Sequence, residues 1–318
     1  MSGFAYRVDA TRVERIEIDQ SITCDRGELV WAHLSTGDDR ARAWLSERAG
    51  LADHVVEALT AAETRPRCDQ YEDGALVNLR GRSDDEMATA DPLASVRIWA
   101  TKGHVFSVTR KRLTALKEVE RCVEGGRIHD PGDLIAEFAT AITADLDPQV
   151  ADLGDRLDAC EESLNSGKIF ELRQTVNRVR SEAIGYRRFL NPQRAALEKL
   201  AGLPGQWIEP DDRQHLNAAA DRAARMAEEL EAIRERSALV HDALTDMRAE
   251  QLDQRGLVLS VAALVFLPLT FITGLYGMNV EGLWFASRPW AFDAIVAFCL
   301  VVAAAITGWF LWRRWITR

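Results

Sequence analysis

GLVLSVAALVFLPLTFITGLYGMN, residues 256–279, is the stretch whose reading decides the architecture. It carries no charged residue. Residues 256–276 suffice to cross a bilayer, which takes about 20 apolar residues. A second apolar run, residues 290–312, follows a short polar loop at 277–289. The chain therefore reads as a membrane protein with two spans at its C-terminal end. Arg248 and Arg255 precede the first span, and Arg313, Arg314 and Arg318 follow the second. The loop between them has only Glu281 and Arg288 as charged residues. Flanking basic residues stay on the cytoplasmic side, which predicts a multi-pass inner-membrane protein with both termini cytoplasmic. Trp284, Trp290, Trp309, Trp312 and Trp315 fall at the expected interfaces, where indole is favoured.

Working outward toward the N-terminus, the only helix breakers between Pro210 and Tyr276 are Gly256, Pro268 and Gly274. A continuous helix over that range would extend about 100 Å, more than a globular core uses, so it reads as a stalk emerging from the membrane. Two shorter helices are expected before it. One covers 135–164, with Asp130 as cap and Pro131 in its first turn. The other covers 170–190, with Asn191-Pro192 expected to break it. Further upstream, β-branched or alternating runs at 28–34, 75–79, 94–100 and 104–109 read as strands. Thr101-Lys102-Gly103 joins the last two as a hairpin. Helical spacing of apolar residues marks 38–48, 51–62 and 113–123.

The expected fold is an α+β membrane protein. It has an N-terminal cytoplasmic α/β domain (1–147), a cytoplasmic helical and stalk region (148–255), and a transmembrane domain (256–318). The last contains helices 256–276 and 290–312 and a short periplasmic loop, 277–289.

The 318 residues carry a net charge of −10, nearly all of it before Gly256. An acidic aqueous part argues against nucleic acid as a partner and is compatible with cations, or with solubility alone. The five cysteines are odd in number, widely spaced and form no C-x-x-C pair, which fits free thiols in a reducing compartment. The first residues have no apolar core and so read as no signal peptide. No Gly-rich phosphate loop, G-x-S-x-G elbow or H-E-x-x-H pair is present, so no enzyme and no resident cofactor is expected. The six histidines show no paired spacing.

Two spans per chain cannot enclose a water-filled path, so conduction would need several copies around one axis. Gly256, Ser260, Ala263, Leu267, Thr270 and Gly274 fall on one helical stripe of mostly small or hydroxyl-bearing residues. That composition suits a pore lining, and equally suits helix–helix packing. Below it, Glu235, Asp242, Asp246 and Asp253 keep to a narrow sector of the stalk. They read either as carboxylate rings that attract cations or as a solvated helix face.

Tyr276-Gly277-Met278-Asn279 ends the first of two C-terminal spans, after Leu267-Pro268-Leu269-Thr270-Phe271. In that position the stretch resembles the CorA family of divalent metal transporters, whose motif is the tripeptide Gly277-Met278-Asn279. The rest of the chain is similar to the zinc-transporter branch, ZntB. The residues that carry this likeness are Val30-Trp31-Ala32-His33-Leu34, Ala61-Ala62-Glu63-Thr64-Arg65-Pro66-Arg67, Leu76-Val77-Asn78-Leu79-Arg80-Gly81 and Ser95-Val96-Arg97-Ile98-Trp99.

The resemblance implies a homopentamer in the lipid bilayer with a cytoplasmic funnel, a stalk and a central pore. Asn279 would form the outermost ring, touching the metal through its hydration water, with Glu281 beside the entrance. Thr270, Leu267, Leu259 and Gly256 would line the pore, and Asp242 would lie near its inner mouth. Ala263 and Ser260 join them from the stripe, as do Asp246 and Asp253 from the acidic sector. Where magnesium-transporting relatives often have methionine, this chain has Leu267. Its loop also lacks their acidic Met-Pro-Glu-Leu continuation. The implied cargo is a divalent cation, zinc before others, with proton symport. A magnesium, cobalt or nickel channel, or a membrane-anchored metal sensor without flux, are the alternatives.

Overall fold

The computed structural model describes residues 3–23, 28–35, 39–62, 65–71, 74–83, 93–164, 168–204, 207–278 and 288–316. They fall into two compact units, Met1–His241 and Asp242–Arg318.

The first unit is built on a seven-stranded sheet. Its strands are β1 (Gly3–Val8), β2 (Val13–Ile16), β3 (Leu29–Leu34), β4 (Arg67–Tyr71), β5 (Gly74–Arg82), β6 (Leu93–Thr101) and β7 (His104–Thr109). The order is β2-β1-β3-β7-β6-β5-β4, with β3 and β7 parallel and every other neighbour antiparallel. The central strands are nearly all buried, and the sequence marks them by β-branched or alternating apolar runs with a few polar residues among them. The outer strands β2 (VERI) and β4 (RCDQY) are partly polar and short, and the sequence reading passes over them, as it does β1. The expected hairpin between β6 and β7 is present: Thr101 pairs with His104, and Gly103 supplies a φ of +83°.

On one face lie α1 (Asp39–Ala43), a π-helical turn (Trp44–Arg48) and α2 (Asp53–Thr60). Leu45, Val56 and Leu59 there pack onto Leu34, Trp99, Phe106 and Val108 of the sheet. The other face meets α4 (Pro131–Glu162), which follows α3 (Leu116–Glu124). Phe138 of α4 sits edge-on to Trp31, with ring centroids 5.7 Å apart. A Cβ on Gly81 would lie 3.1 Å from Ile142, so glycine allows the close approach.

Asp130 caps α4, its Oδ1 accepting the Asp133 amide at 2.9 Å, with Pro131 next in the chain as expected. Residue 147 lies inside α4. The next helix, α5 (Ile169–Ala201), corrects the sequence reading, because it runs through Asn191-Pro192 instead of breaking there. Phe189 and Leu190 before the proline, and Ala196, Leu197 and Leu200 after it, are all buried. Anchored on both sides, the helix continues despite the missing amide hydrogen.

The last long helix, α6 (Pro210–Tyr276), spans 67 residues as read from its breakers. Within the first unit, side chains tie these three helices together. Arg156 of α4 pairs with Glu182 of α5 at 3.1 Å, and Arg187 of α5 pairs with Glu231 of α6 at 3.1 Å. Arg236 of α6 pairs with Asp158 and Glu161 of α4. The second unit holds the end of α6 together with α7 (Ala291–Ile316). Both α6 and the 291–310 part of α7 contain stretches long and apolar enough to cross a membrane.

Candidate functional site

The candidate site is the C-terminal part of α6. Pro268 sits inside it without ending it. Nearby hydroxyls fold back on the helix: Thr270 Oγ1 donates to the Phe266 carbonyl at 2.8 Å, and Thr273 Oγ1 to the Leu269 carbonyl at 3.0 Å. With its hydrogen committed, each hydroxyl presents only lone pairs outward. The Gly277 amide closes the final turn on the carbonyls of Thr273 (2.9 Å) and Gly274 (3.2 Å). Gly277 and Met278 thus follow directly on the helix end, whereas Asn279 and Glu281 lie outside the described residues.

Burial separates two faces of this segment. Val261, Val265, Pro268, Ile272 and Tyr276 are half-buried. Ile272 and Tyr276 line a cavity of about 300 Å³ with Trp290, Ala291, Ala294, Ile295 and Phe298, so this side looks toward α7. Gly256, Ser260, Ala263, Leu267, Thr270 and Gly274 are all exposed, as is Leu259 one position off the stripe. At about 3.6 residues per turn the two sets occupy opposite sides of the helix. The small-residue stripe is therefore not used to pack α7. Among the described residues of the second unit nothing covers it. Leu267, at 76% exposure, is the most uncovered large apolar side chain among the described residues.

Further back, Asp242, Asp246, Asp253 and Glu235 are exposed on α6. Among the described residues the three aspartates make no ion pair, so their charge is uncompensated. The sequence reading missed a different carboxylate group. Oxygens of Asp130, Asp133 and Asp212 lie within 4.8 Å of one another. They join the starts of α4 and α6, which share a pattern that could have flagged them: Asp130-Pro131-Gly132-Asp133 and Glu209-Pro210-Asp211-Asp212. In each, the second aspartate reaches back to a backbone amide. Asp133 accepts from His129 at 3.0 Å, and Asp212 accepts from Glu209 at 2.6 Å. Asp212 is 1% exposed. Burial pushes its carboxyl up to about 7, the Glu209 amide opposes this, and the charges of Asp130 and Asp133 add to it. The cluster reads as a joint between two capped helix starts.

Residues 26–314 match the family described as CorA-like Mg2+ transporter protein. The chain belongs to that family. The CorA-like chain is 29% identical over 287 residues to the zinc transport protein ZntB of Pectobacterium atrosepticum, covering 90% of this chain and 88% of that protein. It is 31% identical over 291 residues to the divalent cation transporter CmaX of Pseudomonas aeruginosa, covering 90% and 87%. The solved structure of full-length CmaX superposes with a TM-score of 0.81 at 28% identity, over 98% of this chain and 97% of that one. The soluble α/β domain, the long helix and the two C-terminal apolar helices are thus the family architecture. A CorA-like protein belongs among ion transporters, not enzymes.

Proposed function

We propose that this CorA-like chain carries divalent metal, zinc before other ions, across the inner membrane through a pore enclosed by a homopentamer with its termini in the cytoplasm. One observation carries the reading. The stripe from Gly256 to Gly274 is uncovered, faces away from α7 and leads to Gly277-Met278-Asn279. Several copies meeting along that stripe would place its groups on a shared axis.

Each position then has a task that its chemistry suits. The Asn279 carboxamide oxygens accept hydrogen bonds from the water shell of an arriving ion. Thr270 offers hydroxyl lone pairs, because its hydrogen is held by Phe266. Leu267 and Leu259 form apolar constrictions that gate by excluding water. Asp253, Asp246 and Asp242 draw the cation onward with unpaired charge. Glu281 adds negative charge at the entrance, with Arg288 opposing it.

Zinc is favoured by the names of several relatives and not by a visible zinc site, since leucine at 267 keeps an apolar constriction but offers no soft ligand. The family description favours magnesium as the second reading, with cobalt and nickel beside it. Proton symport would use Glu281, Asp293, a cytoplasmic carboxylate or the metal's own water. Uptake into proteoliposomes, with zinc, cobalt, nickel and magnesium in competition and with or without a pH gradient, tests all of these at once. Asn279→Ala is expected to abolish most of the flux. Metal-dependent shape change without flux would support a sensor instead.

A further inference from the structure

Beneath the C-terminal end of α2, the sheet buries a guanidinium that no carboxylate among the described residues pairs with. Asn78 of β5 and Arg97 of β6 are direct cross-strand partners. Their side chains leave the same face with Cβ atoms about 5 Å apart. Asn78 is 1% exposed and Arg97 is 2% exposed. Among the described residues Arg97 reaches only carbonyls, at long range: Nη1 to Ser95 at 3.4 Å and Nη2 to Ala62 at 3.3 Å. Arg110 reaches the Thr60 carbonyl at 3.3 Å. The two guanidinium groups thus meet the carbonyl end of α2, which offsets part of their charge. Arg97 Nε, Asn78 Nδ2 and Asn78 Oδ1 have no hydrogen-bond partner among the described residues. Burial, then the like charges of Arg110 and Arg80, hold Arg97 down at about 10. Among the described residues, no carboxylate is bonded to it. A buried charge in this state is strongly unfavourable unless something pairs with it.

The unmet atoms define the missing partner. Two N–H donors need acceptors, one amide oxygen needs a donor, and a positive charge needs a negative one. Water meets the first two needs and not the third. Chloride meets the donors and the charge and leaves Asn78 Oδ1 bare. A partly protonated oxyanion satisfies all three. We infer that Asn78 and Arg97 bind a small inorganic oxyanion of the phosphate class, held under the end of α2.

Thermal unfolding of the full-length protein in a phosphate-free maltoside detergent, titrated with inorganic phosphate against chloride of equal ionic strength, tests this. The wild-type midpoint should climb roughly 3–5 °C per tenfold rise in phosphate above Kd, and not with chloride. Arg97→Gln should lose the response. Asn78→Asp places a carboxylate beside Arg97, so it should raise the midpoint without phosphate and be insensitive to it. That variant keeps the test open should Arg97→Gln not fold. A wild-type midpoint indifferent to phosphate, or an undiminished response in Asn78→Asp, overturns the site. So does a Glu63→Gln protein that loses as much stability as Arg97→Gln in phosphate-free buffer, since the chain would then supply its own anion.

Discussion

Thr270 shows how one side chain can be specified twice. Its methyl fits an apolar helix, and its hydroxyl, tied to Phe266 at 2.8 Å, turns lone pairs toward the exposed stripe. Thr270→Val keeps the volume and removes those lone pairs. Metal uptake into liposomes should fall about tenfold, the worth of one hydrogen bond to a charged group, while Thr270→Ser retains most of it. Equal flux in the valine variant would remove Thr270 from the path. Gly132 is held by a different constraint. A Cβ there would stand 2.2 Å from Asp212 Oδ2 and 3.0 Å from Asp212 Cβ. Gly132→Ala should therefore destabilise the protein by about 1–3 kcal/mol. Adding Asp212→Ala should relieve part of that loss, so a double-mutant cycle in urea should be clearly non-additive. Strict additivity would mean that the two residues do not meet.

Between elements, the joined starts of α4 and α6 make stability depend on pH. Asp212 has its carboxyl raised from 3.8 to about 7 in the folded protein, chiefly by burial. In the unfolded chain it titrates near its ordinary value. Between these values the folded state holds the extra proton, so raising the pH favours unfolding. The contribution is complete below about pH 4, declines by roughly 1.4 kcal/mol per pH unit toward neutrality, and is gone above the folded value. Asp212→Asn mimics the protonated form and should flatten that slope in urea titrations run from pH 5 to 8. An unchanged slope would place the proton elsewhere. Legibility in the sequence follows the same division of forces. The cap at Asp130-Pro131, the long run to Tyr276 with only Gly256, Pro268 and Gly274 as breakers, and the buried strands β3 and β5–β7 were readable, because local chemistry does not oppose the structure there. Pro192 misled, because burial of Phe189, Leu190 and Leu197 outweighs its local preference. Strands β2 and β4 hid because partly polar outer strands resemble loops. The stripe was readable from spacing, but which side of α6 stays uncovered required the position of α7. The Asp130–Asp133–Asp212 cluster joins residues far apart in sequence, and no periodicity reveals such a contact.

For the whole molecule, the two faces of α6 turn the proposed assembly into a geometric test. In the second unit, Ile272 is half-buried on the side of α7, whereas Leu267 is 76% exposed on the opposite side. If copies meet around an axis along the stripe, residues at 267 from neighbouring chains approach one another and residues at 272 stay apart. A single cysteine at each position distinguishes the cases. Cys68, Cys122 and Cys160 are buried and less exposed to oxidant, so Cys24→Ser and Cys299→Ser give a suitable background. Mild oxidation of membranes carrying Leu267→Cys should produce a covalent dimer on a non-reducing gel, since one disulfide joins only two chains. Ile272→Cys should remain monomeric under the same treatment. Native mass spectrometry of the detergent-solubilised protein supplies the copy number, expected at five. Zinc added before oxidation should slow the cross-link at 267 if the metal passes that point. The reverse pattern, dimer at 272 and none at 267, would mean that the stripe faces lipid, and an axis lined by Thr270 and Leu267 would have to be abandoned.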